Sequence, residues 1–411
     1  MSIAGSENDV RRDGRITALV AGAHFWSHVM QLVLPPLFPI LHDEFGVSFT
    51  QLGLVMTVFY VASGAGQTFA GILVDRYGAH TLLLLGTAAL SVGIVLDGFA
   101  PSYWMLLPLA LLSGLGNSVF HPADLSIINL RISERRHGRA YAMHGVLGAL
   151  GYAAAPVLVT VIAAHGGWRL ALIVCGLGGA AWTALLYANR GLIACGGKRA
   201  TAGRPQAAAA GGYLRVFTSP VIMMGFAFFA LMSFSSQGIQ AFGITALHTG
   251  YDLSLALATS ALTAYLAGYA AGTFGGGFLA DRTRQHHRVA MAGTGGDSLM
   301  MLAVSLLAGS GWIVLPLLAL AGIGYGITQP SRDVLIRQAA AGAGTGSVFG
   351  FVYSGFDFGS CTAPLLFGAF LDHGQPQLVF VAVAASLALA VPTVMQVRHH
   401  IAARTATAAA D

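Results

Sequence analysis

Apolar runs recur along the whole chain and are separated by short polar breaks. They lie at about 16–40, 49–74, 81–99, 103–130, 139–164, 167–189, 217–247, 253–280, 288–309, 311–338, 345–371 and 376–397. Each approaches or exceeds the roughly 20 residues a helix needs to cross hydrocarbon. The pattern predicts an all-α membrane protein with twelve transmembrane helices. The longest polar connection runs from Arg190 to Arg215 and contains the alanine run Ala207–Ala210. It predicts two six-helix bundles, residues 1–189 and 216–411, joined by a cytoplasmic linker at 190–215. The first fifteen residues are polar and lack an apolar core, so no cleaved signal peptide is expected.

The two halves repeat. Gly71, Asp75 and Arg76 recur as Gly277, Asp281 and Arg282, an offset of 206. Pro122 and Asp124 align with Pro330 and Arg332 at 208, as do Gly151 and Pro156 with Gly359 and Pro364. Ser27, His28 and Gln31 align with Ser236, Gln237 and Gln240 at 209. A single match would carry little weight, but four in order at a nearly constant offset predict two pseudo-symmetric bundles. Such parallel repeats about an axis along the membrane normal resemble the major facilitator fold, whose substrate sites lie near the midplane.

Specific motifs extend the resemblance. Gly71, Asp75, Arg76 and Gly78 after the second segment resemble the superfamily's cytoplasmic loop signature. Gly114, Gly116, Ser118, His121 and Pro122, followed by Arg136 and Arg139, resemble its fosmidomycin-resistance branch, as do Phe45, Ser48, Gln51 and Gly53. The resemblance implies a proton-coupled exporter of small drugs or metabolites in a bacterial inner membrane. In that branch an acidic residue is expected at the position of His28, and a glutamate directly after the His-Pro pair. Here the positions hold His28 and Ala123, with Asp124 one step later.

Composition agrees with the hydropathy pattern. The chain of 411 residues is 55% hydrophobic and 9% charged, whereas soluble domains carry about 25% charged residues. The formal charge of +5 raises the question of nucleic acid, but its placement answers that differently. The Lys and Arg residues fall almost entirely in alternate connections and both tails, with Arg169 on the opposite side and Arg332 inside a span. The positive-inside rule then puts both termini in the cytoplasm. Cys175, Cys195 and Cys361 show neither disulfide nor metal spacing. No nucleophile–base set or cofactor loop appears, so neither enzyme activity nor a cofactor is expected.

The candidate chemistry lies in polar stripes within the spans, where ionisable residues mark transport pathways by default. Residues three or four apart share a helix face. Asn117, His121 and Asp124 form one stripe, and Tyr325, Gln329 and Arg332 form its repeat partner, with Asp333 beside it. His24, Ser27, His28 and Gln31 form a third, and Gln237 and Gln240 a fourth. In the superfamily the first, fourth, seventh and tenth helices line the cavity, and these stripes fall on those four. His24, His28, Gln31, Asn117, His121, Gln237, Gln240, Tyr325, Gln329, Arg332 and Asp333 are the candidate substrate-binding residues.

Asp124, His121 and Arg332 are the proton-coupling candidates. Burial favours the neutral form of a carboxylate, and Arg332 is a fixed cation that can pair with Asp124 or with substrate. The competing reading is a permanent structural ion pair. As sequence neighbours, Arg332 and Asp333 are expected to point to different sides. His144 and Asp357 are expected to serve gating or packing, and Asp297 to be peripheral and paired with a neighbouring helix. Gly71, Asp75, Arg76, Asp281, Arg282, Pro122, Pro330 and Pro156 are gating candidates, the prolines because each removes a backbone hydrogen bond and lets a helix bend.

The expected function is therefore secondary active transport by alternating access, as proton-driven efflux of a small organic, anionic compound. The expected partners are that substrate, protons and membrane lipid, without nucleic acid. Three alternatives remain: a proton-coupled importer, a divalent-metal or metal-chelate transporter suggested by the i, i+4 spacing of His24 and His28, and a non-transporting membrane receptor.

Overall fold

A computed structural model describes residues 7–195, 220–339 and 345–408. Among these residues the regular structure is helical throughout. The helices are α1 (Glu7–Gln31), α2 (Phe38–Phe45), α3 (Phe49–Tyr77), α4 (Ala79–Asp97), α5 (Tyr103–Asn117), α6 (Phe120–Arg131), α7 (His137–Ala188) and the short α8 (Arg190–Ile193). They continue as α9 (Pro220–Tyr251), α10 (Leu255–Arg282), α11 (His286–Leu307), α12 (Val314–Ala339), α13 (Thr345–Asp372) and α14 (Gln377–Ala408).

Nine stretches of the described residues are long and apolar enough to cross a membrane. Four of them run across a helix break: Asn8–Phe45 holds α1 and α2, Tyr103–Arg131 holds α5 and α6, Glu134–Ala188 holds the broken α7, and His286–Leu335 holds α11 and most of α12. The break inside α7 is at Gly167, whose φ of 82° and ψ of 163° suit a residue without a Cβ. It falls where the hydropathy pattern separates the fifth and sixth segments. The fourth segment, expected as one helix, is divided into α5 and α6 at Ser118 and Val119. Pro122 is the third residue of α6 and has no N–H to donate back to Ser118. Pro330, in contrast, lies inside the uninterrupted α12, and Pro156 inside α7. The predicted linker at 190–215 lies mostly outside the described residues, as do the side chains of Lys198, Arg199, Arg204 and Arg215.

The chain forms two compact units, Met1–Val47 with Leu54–Ala200, and Ser48–Gly53 with Thr201–Asp411. In the first, α1 packs on α7, and α4 on α5 and α7. Asp13 clamps the start of α1 to the turn before α7. Its Oδ2 accepts from the backbone N of Ser133 at 3.2 Å, from Ser133 Oγ at 2.7 Å and from Arg136 Nη1 at 2.9 Å. That gives Arg136, which follows the Gly114–Pro122 stretch, a structural partner. The Trp182 indole donates to Leu19 O at 3.1 Å and ties the far end of α7 to α1.

In the second unit, α10 packs on α12, α9 on α13 and α14, and α11 on α12 and α14. Gly268, Gly272 and Gly276 are four residues apart on one face of α10. A Cβ at Gly276 would sit 2.8 Å from the carbonyl oxygen of Ile327. The α10 and α12 backbones therefore meet directly, as small residues allow in membranes. Aromatic side chains fill the rest, with Phe229, Phe242, Tyr265, Phe367 and Phe380 fully buried. The first turn of α3 groups with this unit because Phe49 N and Thr50 N donate to the Asp372 carboxylate at 2.7 and 2.9 Å.

Candidate functional site

The first unit gathers four histidines around Asp124, which is 0% exposed. Asp124 comes from α6, just beyond the break that Pro122 helps to make. His24 reaches it from α1 and His144 from α7. His144 Nε2 hydrogen-bonds Asp124 Oδ2 at 3.0 Å, and His24 Nδ1 is 3.4 Å from the same oxygen. The His24 and His144 rings stack with centroids 3.7 Å apart and 20° between planes. His28 is one turn along α1, 4.2 Å from the His24 centroid, and the exposed His121 ring meets His24 edge-on at 5.4 Å. His121 and Asp124 were expected in the coupling site. His144 was expected only to pack or gate, yet it is the direct partner of Asp124.

Glycine makes this crowding possible. A Cβ at Gly148 would lie 2.7 Å from His24 Cδ2 and 3.0 Å from His28 Cε1. The Gly148 carbonyl also accepts from His28 Nδ1 at 2.8 Å, which leaves Nε2 of a neutral His28 with the lone pair.

A neutral network adjoins the imidazoles. Tyr152 OH donates to Gln31 Oε1 at 2.8 Å, Gln31 Nε2 to Asn117 Oδ1 at 2.9 Å, and Asn117 Nδ2 to Ser63 Oγ at 2.9 Å. The Tyr152 ring stacks on His28 at 4.0 Å, so the network and the imidazoles are continuous. Beyond Gln31 a small cavity is bounded by Asp97 and Ser113. Among the described residues Asp97 Oδ1 and Ser113 Oγ are buried there without hydrogen-bond partners. Asp97 was not singled out from the sequence. It is a lone carboxylate at the end of an apolar run, and that position is its only signal.

The second unit carries the repeat-related stripe. Gln240 Nε2 donates to Ser236 Oγ, Gln329 Nε2 to Tyr325 O at 3.3 Å, and Tyr325 OH to Met232 O at 3.3 Å. Gln237 is buried on the same helix as Gln240. Arg332 is also buried. Its guanidinium carbon lies 4.5 Å from the Phe229 ring centroid and 5.3 Å from that of Phe356. Its Nε and Nη2 both donate to Asp333 Oδ1, at 3.0 and 2.9 Å. The expectation that Arg332 and Asp333 diverge is therefore corrected. Adjacent helical residues do start about 100° apart, but the long arginine chain folds back to reach the carboxylate. Asp124 and Arg332 thus each have a polar side-chain partner within their own unit.

Asp297 is also corrected. It is fully buried in α11, and neither carboxylate oxygen has a hydrogen-bond partner among the described residues. Asp357 is exposed. Of the gating candidates, Asp75, Arg76, Asp281 and Arg282 are exposed near helix ends. A Cβ at Gly71 or Gly277 would meet nothing within 4 Å.

A family description, Major Facilitator Superfamily, matches residues 20–258 and 226–409. The fosmidomycin resistance protein of Escherichia coli (strain K12) is 31% identical over 161 residues, 39% of each chain. The probable sulfoacetate transporter SauU of Cupriavidus necator is 31% identical over 165 residues, 40% of this chain and 38% of that protein. The membrane sensor protein UhpC of Salmonella typhimurium is 28% identical over 128 residues, 31% of this chain and 29% of that protein. The matched stretch is thus about two fifths or less of each relative's own length. Two solved structures match nearly end to end. An inward-facing, unoccupied bacterial homolog of the human lysosomal transporter Spinster has a TM-score of 0.75 at 15% identity, covering 96% of this chain and 98% of that one. The nucleoside transporter NupG has a TM-score of 0.77 at 13% identity, covering 93% and 99%. At such identities these likenesses speak to the fold alone, and the fold they share agrees with the family match over both halves of the sequence: the chain belongs to the major facilitator superfamily.

Proposed function

We propose that the chain is a secondary transporter that exports a small organic anion in exchange for protons. Both termini are cytoplasmic on this reading, following the Lys and Arg distribution. The supporting observation is the Asp124 carboxylate, fully buried and set between His24 and His144. A carboxylate and two imidazoles in contact can hold different numbers of protons without a large change in shape. Such a group gives alternating access something to exchange, since protonation biases one conformation over another only through differential binding. His121 is the exposed member of the cluster and the natural point of entry for a proton. Arg332 supplies the fixed positive charge for an anionic substrate.

The names of the relatives bear on substrate and direction without settling either. One name concerns sulfoacetate, an anion, and another concerns resistance, which fits export. The sensor among the relatives keeps a receptor role in view. Reconstituted liposomes separate these readings. With sulfoacetate as the first probe, an imposed proton gradient should drive flux in the unaltered protein. Asp124→Asn should lose the response to the gradient while keeping gradient-independent exchange. Undiminished gradient-driven flux in that variant would remove Asp124 as the proton carrier. A panel of other small anions that gives no flux with the unaltered protein would favour a receptor.

A further inference from the structure

We infer that His24, Asp124 and His144 form a binding site for a divalent transition-metal ion of the zinc–cobalt class. The site stands on the geometry of the first unit rather than on the proton-exchange reading, and gives the same residues a second ligand.

One ligand atom from each residue lies within 4.8 Å of the other two, and all three residues are buried. Zinc is held by imidazole nitrogen and carboxylate oxygen at about 2.0–2.2 Å. Two ligands on a tetrahedral ion at that distance are about 3.4 Å apart. The pairs measured here, His144 Nε2 to Asp124 Oδ2 at 3.0 Å and His24 Nδ1 to Asp124 Oδ2 at 3.4 Å, are already near that edge length. Two of the donor atoms are also unspent. Among the described residues His24 Nδ1 and Asp124 Oδ1 are buried without a hydrogen-bond partner, a condition native interiors rarely leave uncompensated. An ion between the three residues would give His24 Nδ1 a partner, and a carboxylate bound through both oxygens would use Asp124 Oδ1 as well.

The donor set points to the class of ion. Two imidazoles and one carboxylate suit zinc, cobalt, nickel and ferrous iron. An all-oxygen set would suit calcium or magnesium, and thiolates would suit softer ions. Binding displaces the proton that His144 Nε2 shares with Asp124. It also requires the stacked His24 and His144 rings to fan apart so that both lone pairs meet one ion. Gly148 leaves the His24 ring room to turn, because any Cβ there would press on that ring at 2.7–2.9 Å. The three ligands come from α1, α6 and α7, so an ion would cross-link three helices of one bundle and complete its site within it.

Cobalt chloride titrated into the full-length, chelator-stripped protein in detergent is the direct test, read by calorimetry and visible absorption. One equivalent should bind, with a d–d band of low-coordinate cobalt. Asp124→Asn and His144→Gln should weaken binding by roughly 100-fold or more, given that even outer-shell changes cost about 10- to 100-fold. His165→Gln, at an exposed histidine, should leave it unchanged. His144→Cys guards against misfolded variants. It should still bind and should add a cobalt–thiolate charge-transfer band, which arises only if residue 144 touches the ion. The inference is overturned if the unaltered protein binds no stoichiometric cobalt, or if Asp124→Asn and His144→Gln bind as it does. The experiment needs no transport. Cobalt binding alongside a fully coupled Asp124→Asn variant would sink the proton reading alone, and the reverse pattern would sink only the metal site.

Discussion

The two units answer the same repeat with different chemistry. At an offset of 208, Asp124 corresponds to Arg332, His121 to Gln329, His144 to Val352 and Gly148 to Phe356. At 209, His24 corresponds to Ser233 and His28 to Gln237. Every histidine of the first unit's cluster thus has a serine, valine or glutamine as its repeat counterpart. The counterpart of the cluster's carboxylate is a permanent cation. The counterpart of the glycine that makes room for two imidazoles is a phenylalanine whose ring lies 5.3 Å from the Arg332 guanidinium. A pseudo-symmetric scaffold has been divided by chemistry, with a carboxylate among imidazoles in one bundle and an arginine beside two aromatic rings in the other.

Transplanting the repeat partner is the harshest way to break this division. Gly148→Phe would place a ring where even a Cβ meets His24 and His28 at 2.7–3.0 Å. Overpacking a filled interior costs about 1–3 kcal/mol, and here the atoms that must yield are the imidazoles of the cluster. The expected outcome is loss of gradient-driven flux in liposomes together with a lowered melting temperature. A variant with unaltered flux would show that the imidazole packing is incidental.

The second unit should respond differently. Arg332→Gln keeps a hydrogen-bonding side chain but removes the charge. Hydrogen bonds to charged groups contribute about 1.5–3 kcal/mol, so affinity for an anionic substrate should fall roughly 10- to 100-fold. Equilibrium binding to the detergent-solubilised protein measures this directly. Dependence on the proton gradient should persist. If coupling vanished as well, the division between the bundles would be wrong.

The helices were legible because hydrocarbon demands long apolar runs, and the repeat was legible because it preserves spacing. Asp124 and His121 were legible because ionisable residues in such runs stand out. Contacts between helices were harder to read. His144 lies 20 residues from Asp124, and nothing in either helix's own periodicity says that the two faces meet. Asp97 and Asp297 sit alone in apolar runs, where sequence offers no partner by which to judge them. The Arg332–Asp333 pair was misjudged because helical spacing describes where Cβ atoms point, whereas a guanidinium on a long flexible stem can turn back. The break between α5 and α6, set against the unbroken α12 at Pro330, shows that a proline alone does not decide whether a helix is interrupted.

Between these extremes is the neutral network of the first unit. Gln31→Leu would sever Tyr152 from Asn117 by removing both side-chain hydrogen bonds of Gln31. Each lost hydrogen bond costs about 0.5–1.5 kcal/mol. The loss should appear as a lower melting temperature. It should also appear as weaker gradient coupling if the network orients His28 through Tyr152. Destabilisation without any change in coupling would confine the network to packing.

The smallest effect is expected from Phe356→Ala. The Phe356 ring is the farther of the two beside Arg332, at 5.3 Å against 4.5 Å for Phe229. Cation–π contacts contribute about 0.5–2 kcal/mol depending on desolvation, and the Phe229 contact and both hydrogen bonds to Asp333 survive the change. Arg332 should therefore stay in place but be held less firmly, with substrate affinity reduced several-fold. Phe229→Ala provides the calibration. It removes the nearer ring, so it should weaken binding more than Phe356→Ala does. The reverse order would mean that Phe356 contacts the substrate itself, and the repeat position that serves as a floor for imidazoles in the first unit would be part of the binding surface in the second.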